Sequence, residues 1–257
     1  MVLGKNEGRE AIALDNLGES GTRSGPAGAG RNLTYGMLDA LGKAILTGHY
    51  DDAPFPTESD LAKQYGVSRS VTREAVKMLT AKGLLTARPR KGTSVQPQVS
   101  WNLFDPDVLR WLLDRKFSLD LLRQFTELRL AIEPTAAGLA AMSATAGGLA
   151  AIKAGFDRMA AAEAGDDDPL EADIAFHIAV LRASANPFFA QFQDVVTTAL
   201  RTSIRFTNRF KGRTASLPQH HAVLSAIEDH QPERARAAMM ALITDVMTLI
   251  AEAEKKV

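Results

Sequence analysis

Residues 56–95 read PTESDLAKQYGVSRSVTREAVKMLTAKGLLTARPRKGTSV, and this stretch decides the fold of the first third of the chain. Thr57 followed by Asp60 resembles a capping box, so a short helix starts here and Gly66 stops it. Ser68 caps a second helix that runs to Gly83, with Val76 and Leu79 facing a core. LLTARPRKGTSVQP then reads as two short strands around the basic turn Arg88-Pro-Arg-Lys-Gly92. Upstream, Leu33–Thr47 forms an amphipathic helix whose apolar side is Met37, Leu38, Leu41, Ile45 and Leu46. Three helices and a hairpin are the winged helix-turn-helix arrangement.

Charge says what this segment is for. The whole chain carries 30 Lys+Arg and 30 Asp+Glu, so it is not a polycation, and a nucleic-acid surface must be local. Between Arg69 and Lys91 the cations are Arg69, Arg73, Lys77, Lys82, Arg88, Arg90 and Lys91, against the single anion Glu74, a local balance of +6. Arg69, Arg73 and Lys77 recur every fourth residue and share one helix face. A helix with a basic outer stripe and a basic wing beside it suits the major groove of double-stranded DNA, where Arg binds guanine bidentately.

Around this segment the chain organises simply. At 257 residues, with 46% apolar and 23% charged content, it has room for about two ordinary globular domains. It contains no cysteine, which excludes disulfides, thiol nucleophiles and thiolate metal sites. The N-terminus lacks an apolar secretory core, and Ala237–Ile250 is too short to span a bilayer. A soluble, cytoplasmic protein is expected. Residues 1–31, rich in Gly, Ser and charge, read as a disordered tail, 32–98 as the winged domain, and 99–117 as a linker. Residues 118–257 read as an all-helical antiparallel bundle of six or seven helices. Pro169, Pro187 and Pro232 open helices, while Pro134 should kink or break one.

The bundle has unexpected polar groups on its inner side. In the helix Leu170–Ser184, Asp173 and His177 are i, i+4 partners beside the arc Leu170, Ile174, Ile178, Leu181. His220 lies within the arc Leu217, Val223, Leu224, Ile227, and His221 lies to one side. A carboxylate and two imidazoles can form an incomplete three-ligand site for a divalent transition metal of the Zn, Ni or Mn kind. Taken alone, such a group more often is an ion pair plus a satisfied core histidine. Arg129 sits among Leu122, Phe125 and Ile132, where it needs an anion, either Glu133 or the carboxylate of an effector. Ser203 and Thr207 fall on the inner face of an expected helix Phe188–Phe210, placed to bond ligand hydroxyls. Arg201, Arg205 and Arg209 project to the other side. By this pattern no second inward carboxylate accompanies Asp173, so a general base for a metallohydrolase is missing.

Residues 33–95 closely resemble the DNA-binding domain of the GntR family of bacterial transcription regulators. The likeness rests on P-x-E-x-x-L at Pro56–Leu61, S-R-x-x-x-R-E-A at Ser68–Ala75 and K-G-T at Lys91–Thr93. Ser59 stands where the FadR subfamily often carries Arg. The resemblance and the helix face together imply DNA contacts at Ser68, Arg69, Ser70, Thr72, Arg73, Lys77, Arg90, Lys91, Gly92 and Thr93. EADIAFHIAVLRASANP at Glu171–Pro187, HHAVLSAI from His220 and PERARAAM from Pro232 resemble the helical FCD domain of the same subfamily. Many such domains hold a metal with one Asp and three His, which implies Asp173, His177 and His220 here and places Leu242 at the fourth position. WNLFDPDVLRW at Trp101–Trp111 is similar to a galactonate-operon branch of the subfamily, implying a sugar acid as effector. Trp101 and Trp111 are expected to relay its binding. The expected function is therefore a homodimeric repressor, not an enzyme, released from its operator by a small carboxylate. A metal sensor without organic effector and a metallohydrolase fused to a DNA-binding domain are the alternatives.

Overall fold

The computed structural model describes residues 26–51, 53–88, 92–115, 118–210 and 216–255, and the side chains of 26–31 and 204–210 lie outside that description. The chain divides into two units, Met1–Arg115 and Lys116–Val257.

In the first unit, local capping chemistry sets the helix starts. Helix α1 is Pro26–Leu46, α2 is Glu58–Gln64 and α3 is Arg69–Ala81. The Thr57 hydroxyl accepts from the Asp60 N–H, and the Ser68 hydroxyl accepts from the Val71 N–H. Strands β1 (Leu85–Arg88) and β2 (Gly92–Val95) pair antiparallel, Leu85 opposite Val95 and Arg88 opposite Gly92. The core joins Met37, Leu38, Leu41 and Ile45 of α1 with Leu61, Val76, Leu79, Leu84 and Leu85. Helix α1 begins at Pro26, so residues 26–31 are helical where a tail was expected. The rest of that expected tail, residues 1–25, lies outside the described residues.

The stretch read as a linker contains a further helix, α4, Pro106–Leu113, capped by the Asp105 carboxylate. Its apolar stripe, Val108, Leu109, Trp111 and Leu112, is buried, and it packs on α1. Trp111 is fully buried, and its Nε1–H donates to Asp39 Oδ1 at 2.7 Å. Gly42 makes the space: a Cβ there would lie 2.5 Å from the Trp111 ring. Trp101 donates to the Gln96 carbonyl at 2.9 Å, so both tryptophans expected to relay make these bonds inside the first unit.

The second unit has seven helices among the described residues: α5 (Leu119–Ser143), α6 (Ala146–Ala164), α7 (Pro169–Ala183), α8 (Pro187–Ala190), α9 (Gln193–Phe210), α10 (Leu217–Glu228) and α11 (Pro232–Glu254). Pro169, Pro187 and Pro232 each open a helix, where a missing N–H costs nothing. Pro134 does not break α5, because packing against α7, α9 and α11 holds the helix together around it. The single helix expected over 188–210 is two, since the chain turns at Gln191 and Phe192 between α8 and α9. Gly155 lets α6 press onto α7, since a Cβ there would lie 2.8 Å from the Phe176 Cα. Among the described residues, no helix is long and apolar enough to cross a membrane.

Candidate functional site

The outer face of α3 carries Ser68, Arg69, Ser70, Arg73 and Lys77, all exposed. Ser68 and Ser70 share a hydroxyl hydrogen bond of 2.8 Å, and Lys77 lies 3.7 Å from Glu74. Thr72, expected among the contacts, is fully buried instead. Its hydroxyl donates to the Ser68 carbonyl at 3.2 Å, and it lies on the same stripe as Ala75, Val76 and Leu79, so it supports the helix and faces no DNA. Lys82 also leaves the basic face. Its ammonium donates to both Asp105 oxygens at 2.7 and 2.8 Å and lies 2.8 Å from Asp107. On the wing, Arg88 is exposed, Gly92 has φ +81° with open space around it, and Thr93 is half-buried opposite Ala87. Arg90 and Lys91 lie outside the described residues.

In the second unit, α5, α7 and α10 bring five polar side chains together: Arg129 (3% exposed), Glu133 (1%), Asp173 (5%), His177 (1%) and His220 (3%). Arg129 Nε donates to Glu133 Oε1 at 2.5 Å, so its anion is Glu133. The His177 Nδ1–H donates to Glu133 Oε2, also at 2.5 Å, and the His220 Nδ1–H donates to the Ser216 carbonyl at 2.8 Å. These acceptors fix the proton of each ring on Nδ1, so in the neutral tautomer both Nε2 atoms present lone pairs. Those lone pairs meet each other 3.4 Å apart and face Asp173 Oδ1, at 3.0 Å from His220 and 3.7 Å from His177. Asp173 Oδ1 is buried without a hydrogen bond. Arg129 Nη2 stands 3.4 Å from His177 Nε2.

The electrostatics point the same way as the geometry. Burial pushes the Glu133 carboxyl up, but the Arg129 charge and the hydrogen-bonded His177 outweigh it and hold the group at about 2. Burial likewise pushes Asp173 up, and the close His220, with His177 and Arg129, brings it below the ordinary carboxylate value. Two ionised carboxylates against one guanidinium leave a negative charge in a dry interior if both imidazoles are neutral. A cation bound among them would supply the missing positive charge. Three atoms with the separations above have a common point about 2.0 Å from each, a metal–nitrogen bond length. Asp173, His177 and His220 are the metal-capable cluster found among the described residues. Leu242 lies in the apolar core with Val223, Leu224 and Met239, and offers no fourth donor.

Glu133 corrects the expectation that no second carboxylate faces inward. Its i, i+4 spacing from Arg129 was visible in the sequence, but its bond to His177, 44 positions away, arises only from packing of α5 on α7. Ser203 is buried on α9, which packs against α5 and α7, and the Thr207 side chain lies outside the described residues. Arg201 pairs with Glu171 at 2.7 Å. His221 is exposed and tilts against Phe156.

A winged helix-turn-helix with a basic reading helix, joined in one chain to a helical unit with a buried polar centre, defines a DNA-binding transcription regulator. The family model described as bacterial regulatory proteins, gntR family, matches residues 37–95, and the FCD domain model matches residues 124–245. The HTH-type transcriptional regulator YieP of Escherichia coli K12, itself uncharacterised, is 35% identical, covering 84% of this chain and 94% of YieP. The galactonate operon transcriptional repressor of the same organism is 32% identical, covering 82% of this chain and 94% of its own length. The structure of Lar from Listeria monocytogenes shares the fold at a TM-score of 0.55 and 18% identity, over 86% of this chain and 97% of Lar. The chain belongs to the GntR family, with the FadR-type pairing of a winged domain and an FCD domain. Its relatives are transcription regulators, not enzymes.

Proposed function

We propose that this regulator is a repressor whose FCD domain binds a divalent transition metal through Asp173, His177 and His220, and a small carboxylate, a sugar acid, that weakens operator binding. The observation that carries the reading is the orphaned Asp173 Oδ1 facing two imidazole lone pairs in a buried, net negative pocket. When bound, the metal would supply an electrophilic centre with positions open to effector oxygens, since Leu242 donates nothing. Glu133 and the Ser216 carbonyl orient the two imidazoles for that task. Arg129 would meet the acid, and Ser203 and Thr207 are the residues proposed to bond its hydroxyls. The 32% identical galactonate operon repressor supports the sugar-acid class. On DNA, Arg69, Ser70, Arg73 and Lys77 read or clamp the operator, with the wing residues Arg90, Lys91, Gly92 and Thr93 on the backbone. The protein acts in the cytoplasm as a homodimer, because one winged helix covers only a half-site. Calorimetry with Zn, Ni and Mn salts and a panel of aldonates, on wild type, His177→Ala and Arg129→Ala, tests the pocket. Unchanged affinities in both variants refute it. Light scattering that finds a monomer both free and on DNA refutes the dimer.

A second reading is a metal sensor without an organic effector. Arg129 already has Glu133 as its anion, which removes the strongest demand for an acid. Metal-dependent operator affinity with no response to any aldonate would favour it.

A further inference from the structure

Lys82 stands at the C-cap of α3, the end of the reading helix, where a cation ordinarily faces solvent or phosphate. Here its side chain is only 12% exposed, and it spends its charge on two carboxylates of another element. Asp105 receives two of its donors and also caps α4, and Asp107 in the first turn of α4 lies 2.8 Å away. Backbone contacts close the same junction. The Asn102 N–H donates to the Lys82 carbonyl at 2.9 Å. Gly83, at φ +75°, passes so close to Ser100 that a Cβ would lie 2.1 Å from its carbonyl oxygen. Helix α4 is fixed in turn to α1 by Trp111, and it is the last helix before the chain enters the second unit.

We propose that Lys82, Asp105 and Asp107 form a latch that sets the pitch of α3 against α4, so that sequence reading depends on the position of α4. Lys82 is a positioning residue and touches no DNA. The proposal rests on α3 being the reading helix. Its function is geometric: a reading helix must place Arg69 and Arg73 within hydrogen-bond reach of base edges, while phosphate attraction tolerates misplacement.

The test uses the full-length chain, a duplex that it selects from a random pool, and a random-sequence duplex as control, with binding followed by fluorescence anisotropy over a salt series. Lys82→Met should bind the selected duplex roughly tenfold more weakly, the size of one lost base contact. It should bind the random duplex like wild type, with an unchanged salt slope. Lys82→Arg, which keeps the cation, should restore the selected affinity. Asp107→Asn should weaken it too while sparing the Asp105 cap, which guards against a variant that merely unfolds. Lys77→Met, an exposed cation on the same helix, should instead lower the salt slope by about 1. The latch is overturned if Lys82→Met keeps the selected affinity, weakens both duplexes equally, or lowers the salt slope as Lys77→Met does. An unchanged affinity for Arg69→Ala would instead sink the reading of α3 itself.

Discussion

Removing the Trp111 side chain should unfold the reading unit far more readily. A mere tether would not respond to such a change. The indole is fully buried, it fills the space left by Gly42, and its N–H meets Asp39 at 2.7 Å. Truncating a buried Trp to Ala costs about 3–5 kcal/mol. A domain with about 5–15 kcal/mol in total loses a large share of its stability. Trp111→Phe keeps most of the apolar contact and loses only the donor to a carboxylate, worth about 1.5–3 kcal/mol. Asp39 retains Arg110 and Lys43 in that variant, so the lower end of the range applies. Native-state hydrogen exchange resolved along the chain is the appropriate assay, because it separates the two units. Amides of α1 at 37–46 should lose protection by roughly a thousandfold in Trp111→Ala and about tenfold in Trp111→Phe. Amides of α6 and α7 should be unaffected. If α1 protection survives Trp111→Ala within a factor of three, α4 adds nothing to the first unit and the packing argument fails.

Further outcomes are expected elsewhere. Arg69→Ala and Arg73→Ala should each cost about 1–3 kcal/mol of specific binding without lowering the melting temperature, checked by gel shift at fixed salt. Glu133→Gln should weaken metal binding about 10–100-fold by calorimetry, because His177 loses the charged carboxylate that orients it and raises its basicity; equal affinity would exclude that role. Lys82 titrates late: burial alone would lower its pKa, but Asp105 and Asp107 raise it above 10.5. A group with a raised folded pKa contributes its stability below the unfolded value and loses it as pH climbs through the folded one. The stability deficit of Lys82→Met should therefore be flat from about pH 6 to 9 in urea melts and close only at more alkaline pH, and a deficit that closes near neutrality would contradict the pairing.

Local chemistry was legible in the sequence. Thr57, Ser68 and the helix-opening prolines act within a few residues of their targets, and those elements stand where the sequence places them. The inward placement of Asp173, His177 and His220 was legible too, because each shares a period with apolar neighbours. Partnerships across the fold were not. Nothing near Lys82 announces Asp105, 23 positions on, and nothing near Glu133 announces His177. Thr72 is a different case. Its stripe of 72, 75, 76 and 79 was available, but a hydroxyl beside Arg73 invites a polar reading, and the apolar period prevails. The break at Gln191–Phe192 escaped because an amphipathic pattern continues across a one-turn interruption.

The two faces of α3 also divide what can be rewritten from what cannot. Positions 69, 70, 73 and 77 meet solvent, whereas 72, 75, 76 and 79 are sealed in the core and Gly83 is pinned beneath Ser100. A library randomised at the first four positions therefore varies the proposed operator contacts on an undisturbed scaffold. The effector response proposed above could then be wired to a promoter of choice, while any library that includes Gly83 would mostly return unfolded clones.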